Sequence, residues 1–332
     1  MNILTSSLHK GTQPPGKSPT SGGSAPAPSA STGAGRRFLN VSAYRFVTIE
    51  DTAALRPVLK ELADRLNLRG TILLAPEGIN LFIAGAQADV RAFLDALMAD
   101  ARFTGLETKL SWSEDQPFNR MLVKLKREII TMHRPDVDPS QTPAPRVSAK
   151  QLKQWLDEGR EVLLVDTRND FEVGLGTFTG ARNLHISSFS AFPDAVDKDI
   201  EPEWRERPVV TFCTGGIRCE KAAPAMMKAG FREVYQLDGG ILKYFEECGG
   251  AHYEGECFVF DKRVALNPDL EPSGTAQCFA CQSVLSLADQ ASKDYIHGEQ
   301  CPHCVGKAVK MRNASLGSTQ QQSVDQSANP RR

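Results

Sequence analysis

Residues 213–219 have the sequence Cys-Thr-Gly-Gly-Ile-Arg-Cys, and they are the most informative run in this chain. It follows residues 208–212, a short apolar run that predicts a buried strand. It precedes residues 220–227, which predict a helix. A cysteine between the end of a strand and the start of a helix lies among backbone N–H groups, and the helix dipole favours an anion there. The pattern therefore predicts an α/β domain that holds the thiolate of Cys213 at this junction.

The other loop residues favour a catalytic cysteine. Gly215 and Gly216 let the backbone curl around the sulfur, and Arg218 adds a fixed positive charge. Cys219 is either a resolving thiol for Cys213 or a packed small residue. A buried structural cysteine is the alternative for Cys213, but such cysteines seldom lead into a Gly-Gly-x-Arg turn. The predicted active-site loop contains Thr214, Gly215, Gly216, Ile217 and Cys219.

Composition limits the classes of protein. The 332 residues are enough for two or three domains, and the net charge of −1 means that any nucleic-acid site must be a local patch. No apolar run reaches the length of about 18 residues that a membrane helix needs. Eight cysteines without a signal-peptide pattern indicate a reducing, cytoplasmic location and catalytic or metal-binding use. Residues 1–37 and 314–332 are polar and are expected to be disordered.

The order of predicted elements indicates separate domains. Residues 38–134 show the order β-α-β-β-α-β, which is typical of the ferredoxin-like split βαβ motif. Prolines mark residues 135–146 as a stiff linker. Residues 147–250 show an α/β pattern that opens with a capping box at Ser148. The fold class is therefore a multidomain protein with an α+β domain followed by an α/β domain.

Four cysteines near the C-terminus have the spacing of a metal site. Two Cys-x-x-Cys pairs, separated by 19 residues, lie in the segment 251–313. Four inward-pointing thiolates complete a tetrahedron with no open position, so the spacing predicts a structural zinc site of the zinc-ribbon type. Redox pairs or free thiols are the alternative. The predicted ligands are Cys278, Cys281, Cys301 and Cys304.

Several motifs resemble the rhodanese family. Four residues separate Cys213 from Arg218, whereas cysteine phosphatases have five. Strand-like residues 162–165 before Asp166 and Arg168 resemble the rhodanese strand that ends in Asp-x-Arg. We expect Asp166 and Arg168 to support the loop by ion pairing. The resemblance implies one rhodanese domain with a parallel sheet and a cysteine that carries sulfur as a persulfide.

A narrower resemblance covers residues 38–310. Residues 70–80, 212–222 and 257–264 resemble the rhodanese-related tRNA uridine hydroxylase family. The family implies oxygen-dependent hydroxylation of the wobble uridine of tRNA (position 34) at C5, with dioxygen as co-substrate and Cys213 as the essential cysteine. It also implies the tRNA anticodon loop as partner, and a sulfur or electron donor protein is a further candidate.

Two other functions stay open at this point. A rhodanese-type sulfurtransferase with a Cys213 persulfide is the first, and a non-catalytic RNA-binding scaffold is the second. No Gly-x-Gly-x-x-Gly follows a predicted strand, so the sequence carries no flavin or nicotinamide motif.

A basic stretch provides candidate RNA contacts. Residues 118–134 have a local charge of +4, which suits a phosphate backbone, although a solvated strand face is the alternative. Lys221 extends the patch beyond the loop. Phe118 and Tyr44 are candidate stacking residues, with core packing as the alternative. The predicted RNA-binding residues are Arg120, Lys124, Lys126, Arg127 and Lys221.

Overall fold

The computed structural model of the protein describes residues 38–278, 280–281, 283–297 and 299–307. The arm 1–37 and the tail 314–332, both expected to be disordered, lie outside the described residues. None of the described helices is long and apolar enough to cross a membrane.

The N-terminal part folds as a five-stranded sheet with two helices. Its strands are β1 Phe38–Phe46, β2 Arg69–Ala75, β3 Gly78–Gly85, β4 Thr108–Ser113 and β5 Met121–Leu125. Its helices are α1 Thr52–Arg65, α2 Gln87–Met98 and the 3₁₀ turn Ala101–Phe103. Four strands pair antiparallel in the order β4-β1-β3-β2, which confirms the predicted split βαβ motif. Strand β5 pairs parallel with β2 and extends the sheet beyond that motif.

The two faces of this sheet differ because side chains alternate along each strand. Leu39 and Val41 of β1 pack into the core with the apolar sides of both helices. Asn40, Ser42 and Tyr44 alternate with them and line a cavity on the opposite face. The helix-free face is therefore partly polar, and it is turned toward the central domain.

The central part has a second five-stranded sheet, in the order β6-β11-β10-β7-β9. Its strands are β6 Arg146–Val147, β7 Leu163–Asp166, β9 Arg182–Asn183, β10 Pro208–Phe212 and β11 Glu233–Leu237. Every pair is parallel, which confirms the predicted rhodanese-type sheet. Its helices are α3 Ala149–Asp157, α4 Asp170–Val173, α5 Phe192–Asp199, α6 Ile217–Lys228 and α7 Gly240–Cys248, with 3₁₀ turns Phe189–Ala191 and Pro202–Glu206. Helices α3 and α7 pack in one apolar cluster and α5 and α6 in another, so helices cover both faces.

Helix α6 begins earlier than the sequence predicts. Its first residue is Ile217, whereas the expected helix began at residue 220. Gly216 precedes it with a φ of +98°, a left-handed conformation that glycine adopts at little cost. Arg218 and Cys219 therefore lie in the first helical turn and not in the preceding loop.

The C-terminal part consists of short strand pairs. Strand β12 Tyr253–Gly255 pairs antiparallel with β8 Gly176–Phe178 of the central part. This strand pair connects the C-terminal part to the central part. The remaining elements are β13 Cys257–Phe258, β14 Ala265–Leu266, β15 Ala276–Gln277, β16 Val284–Leu285 and α8 Leu287–Gln290. The proline-rich stretch that was predicted to be a linker packs Val137 and Ala144 into the central core.

Candidate active site

Cys213 follows β10 directly, at the junction where the sequence predicts a thiolate. Its side chain is fully buried, and its Sγ accepts a hydrogen bond from the backbone N–H of Gly216 at 3.1 Å. The N–H groups of Ile241 and Leu242 in α7 donate to the carbonyls of Cys213 and Thr214, at 2.9 and 3.1 Å. Helix α7 thus binds the carbonyls of Cys213 and Thr214, and the N–H groups of the loop remain free to donate to the sulfur of Cys213.

The surroundings of Cys213 favour its thiolate. Burial by itself raises the pKa of this thiol, but a hydrogen bond from Cys219, the charge of Arg218 and the N–H groups of Arg218 and Gly216 together hold that pKa well below its usual range. Burial and the neighbouring Cys213 raise the pKa of Cys219 well above its usual range. Cys219 is thus a neutral thiol that donates to the Cys213 thiolate. Its role as a resolving thiol stays a prediction.

Arg218 is held by a carboxylate that the sequence motifs did not indicate. Its two terminal nitrogens bind the carboxylate of Glu172, at 2.6 and 2.7 Å. Glu172 is fully buried and Arg218 nearly so. This ion pair holds the guanidinium charge of Arg218 beside Cys213. Each terminal nitrogen of Arg218 donates one hydrogen bond to Glu172.

Asp166 and Arg168 form the ion pair that the sequence predicts. Arg168 binds both carboxylate oxygens of Asp166, with a closest distance of 2.6 Å, and also donates to the carbonyl of Gly176. Neither side chain is exposed, and Asp166 is paired in the sheet with Phe212, the residue before Cys213. The pair therefore lies beneath the loop, next to the last residue of β10. Its role in supporting the loop stays a prediction.

Cys213 lies at a cavity that all three parts of the chain enclose. The cavity and the open solvent at its mouth together have a volume of about 1010 Å³. The central part supplies Cys213, Thr214, Gly215, Ile217 and Arg218, with Leu242, Lys243 and Glu246 from α7. The helix-free face of the N-terminal sheet supplies Asn40, Ser42, Tyr44, Asn80, Phe82, Lys109 and Ser111, with Phe118 nearby. The C-terminal part supplies Val259, Phe260, Asp261, Arg263, Leu266 and Leu270.

Lys109 was not predicted from the sequence to lie at the cavity, and Tyr44 was predicted only as a candidate stacking residue. Lys109 reaches from β4 and donates to the carbonyls of Gly215 and Gly239. The hydroxyl of Tyr44 donates to the carboxylate of Glu220 at 3.1 Å, and burial raises its pKa well above the usual value. The alternation of polar and apolar residues along β1 and β4 is the signal that could have placed these side chains on one face.

The predicted RNA-binding residues near β5 lie in two places, one on the helix-free face of the sheet and three at the ends of the strand. Lys124 lies on the helix-free face, since Met121 and Val123 of the same strand pack into the helix-side core. Its row across the sheet runs through Leu73 and Asn80 to Tyr44 at the cavity. Arg120, Lys126 and Arg127 flank that strand and are exposed.

Lys221 was wrongly predicted to be an RNA contact. Its side chain is 1% exposed, and its ammonium pairs with Glu77 at 2.8 Å and Glu128 at 2.6 Å. Both carboxylates belong to the N-terminal part, so the ion pairs of Lys221 connect that part to α6. An ammonium that is buried and doubly paired is not available to a phosphate.

The four C-terminal cysteines converge as the sequence predicts. Their sulfur atoms all lie within 4.8 Å of one another. Three sulfur–sulfur distances are 3.6, 3.7 and 3.9 Å, which are too long for disulfide bonds. A tetrahedron with metal–sulfur bonds of about 2.3 Å has edges of about 3.8 Å. The cluster can therefore hold a metal ion.

Comparison with known proteins agrees with this architecture. The model of the UPF0176 acylphosphatase like domain matches residues 38–129, and that of the Rhodanese-like domain matches residues 148–247. A protein of Cupriavidus necator named tRNA uridine(34) hydroxylase is 54% identical over 275 residues, 81% of this chain and 97% of the relative. Proteins of the same name from Paraburkholderia xenovorans and Burkholderia ambifaria are 54% and 52% identical, covering 80% and 82% of this chain and 96% and 98% of the relatives. As its motifs predicted, the chain belongs to the tRNA uridine(34) hydroxylase family.

Proposed function

We propose that this protein hydroxylates C5 of the wobble uridine of tRNA, with dioxygen as co-substrate. The observation that carries the proposal is a Cys213 thiolate at a cavity to which all three parts of the chain contribute. A sulfurtransferase acting on small molecules needs neither the N-terminal sheet nor the C-terminal segment at its cysteine. The relatives' names point to hydroxylation and not to sulfur transfer.

The chemistry follows from the position of the thiolate. Sγ of Cys213 adds to C6 of uracil, and the electrons of the C5–C6 double bond move to the C4 carbonyl oxygen to form an enolate. The enolate makes C5 nucleophilic toward an oxygen atom that derives from dioxygen. After the C5–O bond forms, C5 loses its proton and the thiolate leaves C6. The second oxygen atom leaves as water, which requires two electrons from a donor such as a partner protein.

Residues of the cavity have distinct parts in this scheme. The charge of Arg218 and the N–H groups around Sγ hold the thiolate before addition. Two of the five N–H groups of Arg218 are bound to the carboxylate of Glu172, which holds the guanidinium in place beside Cys213. Tyr44 and Phe118 line the cavity, and we propose that the unstacked wobble base packs against one of these rings.

The basic residues beside β5 suit the phosphates of the anticodon arm. Lys124 lies on the sheet face that continues into the cavity, three strand spacings or about 14 Å from Tyr44. Arg120, Lys126 and Arg127 extend this positive surface at the sheet edge. We propose that the anticodon loop crosses this face and places its wobble base over Cys213, in the cytoplasm where tRNA is modified.

The four-cysteine cluster is proposed to hold a structural zinc ion. Four thiolate ligands and sulfur–sulfur distances near those of a tetrahedral site support zinc. Such a site leaves no open position for dioxygen, so its role is to fold the C-terminal segment.

The test is nucleoside mass spectrometry of tRNA from a strain that lacks the gene. We expect 5-hydroxyuridine derivatives to disappear, and to return with the wild-type gene but not with Cys213→Ser. Cys248→Ser is the matched control, because Cys248 is half-buried and does not line the cavity. Persistence of these nucleosides in the deletion strain, or a loss of 2-thiouridine in their place, would contradict the proposal.

A trapped substrate tests the addition step. A tRNA with 5-fluorouridine at the wobble position should form a stable covalent adduct with Cys213, because fluorine at C5 cannot leave as a proton does. The adduct should appear as a mass increase on the Cys213 peptide and be absent from the Cys213→Ser protein. Absence of this mass shift in an active wild-type preparation would rule out addition at C6.

A further inference from the structure

Three different parts of the chain bind the carbonyl groups of the Cys213 loop. The N–H groups of α7 bind the carbonyls of Cys213 and Thr214, as described above. The carbonyl of Gly216 accepts from the N–H of Cys219 at 3.0 Å. The carbonyl of Gly215 accepts from the ammonium of Lys109, which belongs to the N-terminal part. This last contact joins the loop to a residue outside the rhodanese-like domain.

Lys109 reaches the loop from an edge strand of the other sheet. It is paired with Ser42 across β4 and β1, on the helix-free face. Its ammonium also binds the carbonyl of Gly239, directly before α7. The Lys109 side chain therefore links the Cys213 loop to the start of α7. The N–H groups of α7 in turn bind the carbonyls of Cys213 and Thr214.

The N-terminal sheet also packs closely over both loop glycines. A Cβ atom on Gly215 would lie 3.4 Å from the Lys109 ammonium, and one on Gly216 would lie 2.9 Å from the Tyr44 hydroxyl. A Gly-Gly peptide can rotate at little cost unless something holds its carbonyl. Rotation of the 215–216 peptide would replace the N–H of Gly216 at Sγ by a carbonyl oxygen, which repels a thiolate.

We propose that Lys109 is a positioning residue for the reaction, because it fixes the 215–216 peptide with its N–H directed at Cys213. The N-terminal part then has two roles, because it positions the peptide that stabilises the Cys213 thiolate and it also binds tRNA. The proposal rests on the proposed function in one respect, that the Cys213 thiolate is the reacting group. Burial lowers the pKa of Lys109, and the negative charge of Cys213 opposes that shift, so the Lys109 ammonium and the Cys213 thiolate stabilise each other.

A purely structural role for Lys109 is the alternative, and the chain offers a matched control for it. Lys221 is also a buried lysine that joins the N-terminal and central parts, through Glu77 and Glu128. It does not contact the carbonyls of the Cys213 loop. Loss of either lysine weakens the contact between the two parts, but only loss of Lys109 should change the chemistry of the sulfur.

The experiment is the pH dependence of iodoacetamide labelling of Cys213, followed on its peptide by mass spectrometry in the full-length protein. Iodoacetamide reacts with thiolates, so the midpoint of the labelling rate reports the pKa of Cys213 in place. The labelling needs no tRNA, and its outcome is therefore separate from that of the hydroxylation test. The ionisable groups that act on Cys213 or line its cavity are Cys219, Arg218, Tyr44, Lys109, Lys243, Glu246, Asp261 and Arg263.

Lys109→Met should raise the midpoint by about one pH unit or more, since it removes both the charge and the carbonyl contacts. Lys109→Arg should stay closer to wild type, and Lys221→Met should keep the wild-type midpoint. A folded Lys109→Met protein with the wild-type midpoint would overturn the proposal, as would an equal shift in Lys221→Met. If Lys109→Met does not fold, Lys109→Gln replaces it, and a wild-type midpoint in that variant would equally overturn the proposal.

Discussion

Replacing Cys301 with serine is expected to abolish metal binding and to unfold the segment Ala276–Lys307. Cys301 is fully buried, and its sulfur lies 3.6 Å from that of Cys281 and 3.7 Å from that of Cys304. The apolar cluster around these sulfurs is small, with Ala280 and Leu285 as its other buried members. A core of this size does not hold a segment of this length, so the free energy of metal binding, about 10 kcal/mol or more, must do so.

Metal analysis and hydrogen exchange together measure this effect. Wild-type protein should contain one zinc ion per chain and show protected amides in β15 and β16. Cys301→Ser and wild type treated with a strong chelator should lose both the metal and the protection. Cys248→Ser should retain both, because Cys248 lies outside the cluster. A Cys301→Ser protein that keeps its zinc and its protected amides would show that the cluster is not the metal site.

Local sequence patterns were sufficient to predict the parts of the site that are close together in the chain. The junction of β10 and α6 places Cys213, Gly216 and Arg218 within six consecutive residues, and Asp166 pairs with Arg168 two residues away. The four ligand cysteines were predictable because each Cys-x-x-Cys turn brings two sulfurs together. In each case the spacing along the chain fixes the geometry.

The parts that were missed depend on packing between distant elements. Glu172 is 46 residues from Arg218 and no local pattern connects them. Lys109 lies 106 residues from Gly215, and only the orientation of one domain over the other brings them together. Lys221 was misread for the same reason, since a lysine beside a catalytic loop reads as a phosphate contact until its buried carboxylate partners are known.

The alternation along β1 shows how far sequence reasoning could have gone. A period-two pattern with Asn40, Ser42 and Tyr44 on one face predicts that this face does not pack against apolar helix surfaces. It does not predict which surface covers it. Residues 118–134 were treated as one basic stretch for a related reason. Lys124 is the one charged residue of β5, and Met121 and Val123 of the same strand pack into the core.

Glu172→Gln should destabilise the protein by about 3–5 kcal/mol, because it leaves the buried guanidinium of Arg218 without the carboxylate that is bound to it. Glu172 also accepts a hydrogen bond from the backbone N–H of Asn169 at 3.1 Å, which glutamine can retain, so the loss isolates the ion pair. Urea unfolding measures the change, and Glu201→Gln is the control because it removes an exposed partner of Arg182. The control should unfold close to wild type, since exposed pairs contribute little.

The double variant Glu172→Gln with Arg218→Met separates an unpaired charge from lost packing. Removing both charges should restore part of the stability that Glu172→Gln loses, because the cost of the single change lies mainly in the uncompensated arginine. The double variant should still be inactive, since the thiolate of Cys213 then lacks the charge that lowers its pKa. A Glu172→Gln protein as stable as wild type would show that Arg218 finds another partner in the cavity. Stability and activity would then no longer depend on this one pair.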